Sequence, residues 1–151
     1  MIKKAITLII MSFFIIACSR AIPKPADAQM LRETHRVIGE NYFSTKTLVL
    51  FVRNSSGAFA SYRNDIINIQ FLLPMRYKMY RKADIKTLLS TGTYQYTLNF
   101  YRVNEGELNL EGKNGLMIHL IFKNTLNGTF YAEPNVMTRT GYLSGNFKLL
   151  P

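Results

Sequence analysis

Histidine, cysteine and carboxylate side chains, which carry most metal and acid–base chemistry in proteins, are sparse in this 151-residue sequence. His35 and His119 are its two histidines, and neither has a second ligand residue at a spacing such as His-x-x-x-His. His119 lies inside the apolar run 116–122, where a lone histidine is more often structural than a metal ligand. We therefore expect neither a metal site nor a cofactor.

Three glutamates, Glu105, Glu107 and Glu111, lie close together in the sequence. A glycosidase needs two carboxyl groups that face each other across a cleft. These three differ by even steps, so a continuous strand places them all on one face, opposite Leu108 and Leu110. No Gly-x-Ser-x-Gly nucleophile motif accompanies them. The pattern predicts a solvated acidic face without catalytic residues, and we do not expect the protein to be an enzyme.

The densest run of cations is the heptapeptide RYKMYRK, residues 76–82. If its first five residues form a strand, basic side chains alternate with apolar ones and share a face with a tyrosine. Basic groups beside tyrosines suit an anionic lipid or a sugar phosphate. An alternative is an edge strand whose charges protect it against aggregation. The candidate binding residues are Arg76, Lys78, Tyr80, Arg81 and Lys82.

The only cysteine, Cys18, follows a leader with a positive head and an apolar middle. Lys3 and Lys4 precede an uncharged run of 13 residues, 5–17, which is the layout of a secretory signal. A membrane-spanning helix needs about 20 apolar residues, so a permanent transmembrane anchor is the weaker interpretation. A single cysteine also has no partner for a disulfide within the chain.

Residues 15–18 (IIAC) resemble a bacterial lipobox. The resemblance implies that residues 1–17 are a signal peptide, that the Cys18 sulfur receives a diacylglyceryl group, and that the new N-terminus is acylated. Two or more acyl chains anchor a protein stably, whereas one does not. In sorting of the enterobacterial kind an aspartate after the cysteine retains a lipoprotein at the inner membrane. Ser19 therefore favours the outer membrane. We expect the protein to face the periplasm, with exposure at the cell surface as the alternative.

After the cysteine, residues 18–28 contain Pro23 and Pro25 and are expected to form a tether, and residues 29–151 a β-rich domain. Without residues 1–17 the chain has 134 residues, enough for one core, with 17 basic and nine acidic side chains and a net charge of +8. Such a charge favours anionic lipid or glycan partners. We do not expect an exported protein to bind nucleic acid. An alternative is that the positive charge is spread over the surface and only aids solubility.

Short alternating segments predict a mainly β domain. Residues 93–100 alternate strictly between apolar and polar side chains, and Asn114-Gly115 and Asn127-Gly128 are strong hairpin signals. One or two short helices are expected, over 28–41 and as a turn over 83–90. About eight or nine strands with frequent turns describe a single small antiparallel β-sandwich, with an eight-stranded β-barrel as the alternative. The other expected strands cover residues 46–53, 66–73, 116–122, 129–132 and 142–150, with 58–63 as a hairpin partner.

Several motifs in the first two thirds of the domain resemble small bacterial lipoproteins with a PEGA-like sandwich domain. They are residues 51–54 (FVRN), 89–96 (LSTGTYQY), 108–111 (LNLE) and 114–118 (NGLMI). Where that family has a Pro-Gly-x-His turn, this chain has Thr91-Gly92-Thr93-Tyr94. The resemblance covers about residues 46–122, implies a sandwich, and brings no established activity.

A second resemblance lies near the end of the chain. Residues 128–135 (GTFYAEPN) and 145–147 (GNF) resemble the closing strands of transferrin-binding-protein-like lipoprotein barrels, which carry Gly-x-Phe-Tyr-Gly-Pro-Asn-Ala and then Gly-Gly-x-Phe. Here Ala132-Glu133 replaces the single glycine, and Ser144-Gly145 replaces the glycine pair. This resemblance implies a barrel that captures a host-derived or haem-like ligand at the cell surface.

These observations lead to an expected function with two alternatives. The leading hypothesis is a non-enzymatic lipoprotein, anchored to the outer membrane through Cys18, that binds or organises a protein partner of the envelope. The second is a surface-exposed, ligand-capturing lipoprotein of the transferrin-binding-like barrel type. An enzyme or enzyme inhibitor that acts on the cell wall ranks behind both.

Overall fold

The computed structural model describes residues 42–82, 84–99, 102, 104–136 and 138–151. The expected signal peptide, the lipidation site Cys18, the tether and the expected helix over 28–41 lie outside these residues. No helix among the described residues is long and apolar enough to cross a membrane.

Eight antiparallel strands follow one another around a closed barrel. Each strand pairs with the next in sequence, and β8 returns to pair with β1, so that Thr47 lies opposite Leu150 and Leu50 opposite Phe147. The strands are β1 (Thr47–Ser55), β2 (Ile66–Leu72), β3 (Arg76–Arg81), β4 (Asp84–Leu98), β5 (Glu105–Leu110), β6 (Leu116–Asn124), β7 (Asn127–Pro134) and β8 (Leu143–Leu150).

The predicted mainly β class is confirmed, and of the two predicted architectures the eight-stranded barrel is the one that forms. Pairing between β1 and β8 closes the sheet on itself and leaves no free edge, so the apolar faces of all strands meet in one interior. On β6, for example, Leu116, Ile118 and Leu120 are buried inside, while Met117 and His119 between them face outward.

Two local predictions are wrong. The helical turn expected over 83–90 is instead the beginning of β4, a 15-residue strand that starts at Asp84 and pairs with β3 and β5. The hairpin partner expected over 58–63 is instead a 3-10 helix, Gly57–Tyr62. This helix lies at one end of the barrel, where Phe59 and Tyr62 pack against the core.

The opposite end of the barrel is filled by the turn that precedes β1. Phe43 is fully buried, and its ring meets those of Phe71 and Tyr96 at centroid distances of 5.1 and 4.7 Å. Tyr42 beside it donates a hydrogen bond to the carbonyl of Thr125, in the turn between β6 and β7. Aromatic side chains therefore occupy both ends, and the interior between them is a packed core.

Candidate functional site

The structure divides the five predicted binding residues between the outer wall and a structural cluster. Arg76 and Lys78 are exposed on the outer face of β3, on the same side as the half-buried Tyr80, as the alternation predicted. Lys82 is exposed in the turn after β3. The alternative interpretation, a charged edge strand, is wrong, because β3 is hydrogen-bonded to β2 on one side and to β4 on the other.

Arg81 is engaged within the protein and is poorly placed to bind a ligand. Its guanidinium forms an ion pair with Asp65 and donates a hydrogen bond of 3.0 Å to the carbonyl of Ser61. The same group lies 5.2 Å from the ring centroid of Tyr62. These contacts fasten the 3-10 helix to the end of β3, so the role of Arg81 in the structure is to hold that end of the barrel together.

The three clustered glutamates lie on the outside of the barrel, as their spacing predicted. Glu105 and Glu107 project from the outer face of β5, and Glu111 follows the strand directly. Glu105 forms an ion pair of 3.1 Å with Arg102, and Glu111 accepts a hydrogen bond of 2.8 Å from Thr93. No two of them face each other across a cleft.

Pairing of three strands brings Glu107 into a row with two residues that are distant in sequence. Glu107 lies opposite His119, and His119 lies opposite Tyr131. The distance from His119 Nδ1 to Glu107 Oε2 is 3.6 Å, and the rings of His119 and Tyr131 are 6.3 Å apart. Tyr131 stacks on Tyr142 with a centroid distance of 5.7 Å. We call Glu107, His119, Tyr131 and Tyr142 the aromatic row.

The aromatic row borders a shallow groove and an exposed apolar side chain. The groove has a volume of about 430 Å³ and includes Thr97, Glu107 and His119 in its lining. Ile121, also in the lining, is 43% exposed, and Tyr131 is 44% exposed. Exposed aromatic and aliphatic side chains beside a carboxylate can serve as a protein-binding surface.

Sequence reasoning did not find the aromatic row, because its members lie on three strands and a loop. The hairpin signal Asn114-Gly115 is the one local feature that bears on it. Once the turn there fixes the register between β5 and β6, Asn109 meets Met117 and Glu107 meets His119. The contact between Tyr131 and Tyr142 depends on the register between β7 and β8, for which the sequence has no comparable signal.

The interior of the barrel is lined by apolar and aromatic side chains. Among the described residues, Tyr77 Oη and Ser90 Oγ share a buried hydrogen bond of 2.8 Å, whereas the buried hydroxyls of Tyr94 and Tyr96 find no hydrogen-bond partner there. Within the described part of the chain, no three His, Cys, Asp or Glu side chains are grouped so that they could hold a metal ion.

Comparison of the chain with family models, curated proteins and solved structures finds no match.

Proposed function

We propose that this protein is a lipoprotein of the outer membrane, anchored through acylated Cys18, whose barrel is a non-enzymatic domain that binds a protein partner of the envelope. The packed interior of the barrel carries this proposal. Phe43 fills one end, and Phe59 and Tyr62 cover the other, where a pocket of only about 100 Å³ is left. The groove beside the aromatic row measures about 430 Å³, so the outside of the barrel offers more room to a partner. The lipobox-like segment 15–18 supports the anchor and the envelope location.

The aromatic row is the proposed contact surface for the partner. Tyr131 and Ile121 offer exposed apolar area on a rigid sheet, and Glu107 offers a carboxylate to a basic group. Tyrosine is enriched in protein interfaces because it buries much area at a low cost in side-chain entropy. A partner that presents an apolar side chain beside a lysine or arginine complements this surface.

Photo-crosslinking in living cells tests the proposal. A benzophenone amino acid replaces Tyr131 in one strain and Gln70, an exposed residue of β2 on another part of the barrel, in the matched control. We expect one dominant envelope protein to be captured from position 131 and not from position 70. Capture should weaken with Cys18→Ser, because loss of the anchor removes the barrel from the membrane surface. Equal capture from both positions, or none, would contradict the proposal.

The second candidate, a surface-exposed barrel that captures a ligand, is supported by the closed eight-stranded architecture. That architecture is the one implied by the resemblance of residues 128–135 and 145–147 to transferrin-binding-protein-like barrels. Antibodies against the folded barrel distinguish the two candidates. Labelling of intact cells supports surface exposure, whereas labelling only after the outer membrane is permeabilised supports a domain that faces the periplasm.

A further inference from the structure

A second groove, of about 470 Å³, lies on the outer wall where β1 and β8 meet the last residues of β6 and the first of β7. We call it the basic groove. Pairing places Lys148 opposite Asn127, and Asn146 opposite both Phe51 and Thr129, so these side chains come from neighbouring strands of one rigid sheet. The outward-facing residues that line the groove are Phe51, Arg53, Lys123, Asn127, Asn146 and Lys148.

Among the residues that the structure describes, the three cations of the basic groove have no acidic partner. The ion pairs found among the described residues involve Arg81, Arg102 and His119, and the groove lining contains no aspartate or glutamate. Three positive charges that line one groove repel one another, and an anion with several oxygens relieves that repulsion. Phosphate suits the site, because arginine and lysine both donate charge-assisted hydrogen bonds to its oxygens.

The uncharged residues of the basic groove indicate what the phosphate is attached to. The side-chain amides of Asn127 and Asn146 can each donate and accept, which matches the hydroxyl groups of a sugar. Phe51 is 40% exposed on the same wall, and its ring can cover the apolar face of a pyranose. The groove is large enough for one such ring with its phosphate.

From these contacts we infer that the basic groove binds a phosphorylated saccharide. The ligand can be a soluble sugar phosphate or the phosphorylated sugar headgroup of a glycolipid, since both present the same chemistry. This inference goes beyond the proposed protein partner, and it does not depend on it, because the residues involved are different from those of the aromatic row.

Another basic part of the barrel serves as the internal control. Arg76 and Lys78 are exposed on the outer face of β3, but the nearby groove, which includes Thr47, Asn68, Gln70 and Tyr80 in its lining, has no charged side chain there. Lys123→Gln with Lys148→Gln therefore removes two charges from the basic groove, whereas Arg76→Gln with Lys78→Gln removes two charges elsewhere. The two double variants have the same net charge.

The test is a titration of the purified full-length protein in a mild neutral detergent, followed by NMR or calorimetry. The probes are glucose 1-phosphate, glucose, inorganic phosphate, and lipid A carried in the same micelles. We expect a phosphorylated sugar to bind more tightly than glucose or inorganic phosphate. The groove double variant should lose about tenfold or more in affinity for it, while the β3 double variant stays within about twofold of the parent.

Phe51→Ala should weaken binding of the sugar phosphate but not of inorganic phosphate, which has no ring to stack. If the protein binds lipid A more tightly than glucose 1-phosphate, the natural ligand is a glycolipid headgroup. If it binds glucose 1-phosphate more tightly, the natural ligand is a soluble sugar phosphate. Equal losses in both double variants would show a diffuse charge effect and overturn the inference. Equal affinity for inorganic phosphate and glucose 1-phosphate would also overturn the inference. The same holds if the unsubstituted protein binds none of the probes although its thermal unfolding transition shows that it is folded.

Discussion

The outer surfaces of two parts of the barrel carry opposite charge. The wall formed by β5, β6 and β7 carries Glu105, Glu107 and Glu133 against one exposed lysine, Lys123, and we call it the acidic wall. The wall formed by β8, β1, β2 and β3 carries Lys148, Arg53, Arg76 and Lys78 without an outward acid on any of these strands, and we call it the basic wall.

The comparison shows how one small core can support two different surfaces. In a closed barrel, every strand needs apolar side chains at the alternate positions that face the interior. The side chains at the positions between them face outward and can differ from strand to strand. The aromatic row lies on the acidic wall, whereas the basic groove lies along one edge of the basic wall and reaches Lys123 at the end of β6. The two proposed sites can therefore be altered separately.

The largest expected effect comes from removing a side chain of the one core that lies behind both walls. Phe43→Ala leaves a cavity between Phe71 of β2 and Tyr96 of β4, and we expect it to lower the free energy of unfolding by about 3–5 kcal/mol. Because the barrel has one interior, fluorophores placed on the two walls should report the same unfolding midpoint in urea. Different midpoints would show that the walls fold as separate units.

A smaller effect distinguishes two buried tyrosines, one on β3 of the basic wall and one on β4, next to the acidic wall. Tyr77 of β3 shares a buried hydrogen bond with Ser90, so Tyr77→Phe leaves a buried hydroxyl unpaired and should cost about 1–3 kcal/mol. Tyr96, which pairs with Leu108 of β5, has a hydroxyl without a partner, so Tyr96→Phe should be neutral or stabilising. Urea unfolding measures the free energy of unfolding of both variants. An equal loss of stability in Tyr77→Phe and Tyr96→Phe would contradict the prediction.

Alkaline pH should destabilise the barrel through the same buried phenols. Burial raises the pKa of Tyr96, and the nearby Tyr42 adds to that rise; burial also raises the pKa of Tyr77. Stability is complete below the ordinary tyrosine pKa of 10.0 and falls as the pH rises beyond it, since the unfolded chain then ionises more readily than the folded one.

The unfolding free energy of the parent should therefore stay level up to about pH 9 and drop as the pH rises past about 10, and Tyr96→Phe should reduce the drop. Ultraviolet absorbance of tyrosinate, recorded at the same pH values, tells whether ionisation accompanies unfolding. A barrel that ionises its full complement of tyrosines while it stays folded would contradict this prediction.

The smallest effect on stability is expected on the acidic wall. Glu107→Gln removes the carboxylate that lies 3.6 Å from His119, but both side chains are close to half exposed, so the free energy of unfolding should change by about 0.5 kcal/mol or less. Photo-capture of the partner from position 131 should nevertheless fall, since the carboxylate is proposed to meet a basic group. Unchanged capture would assign recognition to Tyr131 and Ile121 alone.

Much of the fold could be predicted from local patterns. The alternation of residues 93–98 and the Asn-Gly turns at 114–115 and 127–128 predicted parts of β4, β5, β6 and β7. The closure between β1 and β8 had no local signal, because it joins residues about a hundred positions apart. Residues 57–62 (GAFASY) have too few alternating positions for a strand, and they form a 3-10 helix that covers one end of the barrel.

The candidate sites could be predicted only in part, because they too depend on pairing between strands that are distant in sequence. The acidic face at 105–111 and the exposure of Arg76 and Lys78 follow from alternation along single strands, and both are present. The engagement of Arg81 with Asp65 and the meeting of Arg53, Lys123 and Lys148 in one groove depend on pairing between strands. A composition rich in lysine and arginine shows that cations are present but not which of them meet.

The pairing of β1 with β8 also sets an order of events in biogenesis. Pairing of β1 with β8, which places Thr47 opposite Leu150, forms the seam of the barrel, so the first strand lacks one of its two neighbours until the last has emerged from the ribosome. An elongating chain consequently presents β1 and the current last strand as open edges, which are prone to pair with other chains. Export before the seam forms would deliver the chain across the inner membrane unfolded, with closure taking place on the far side.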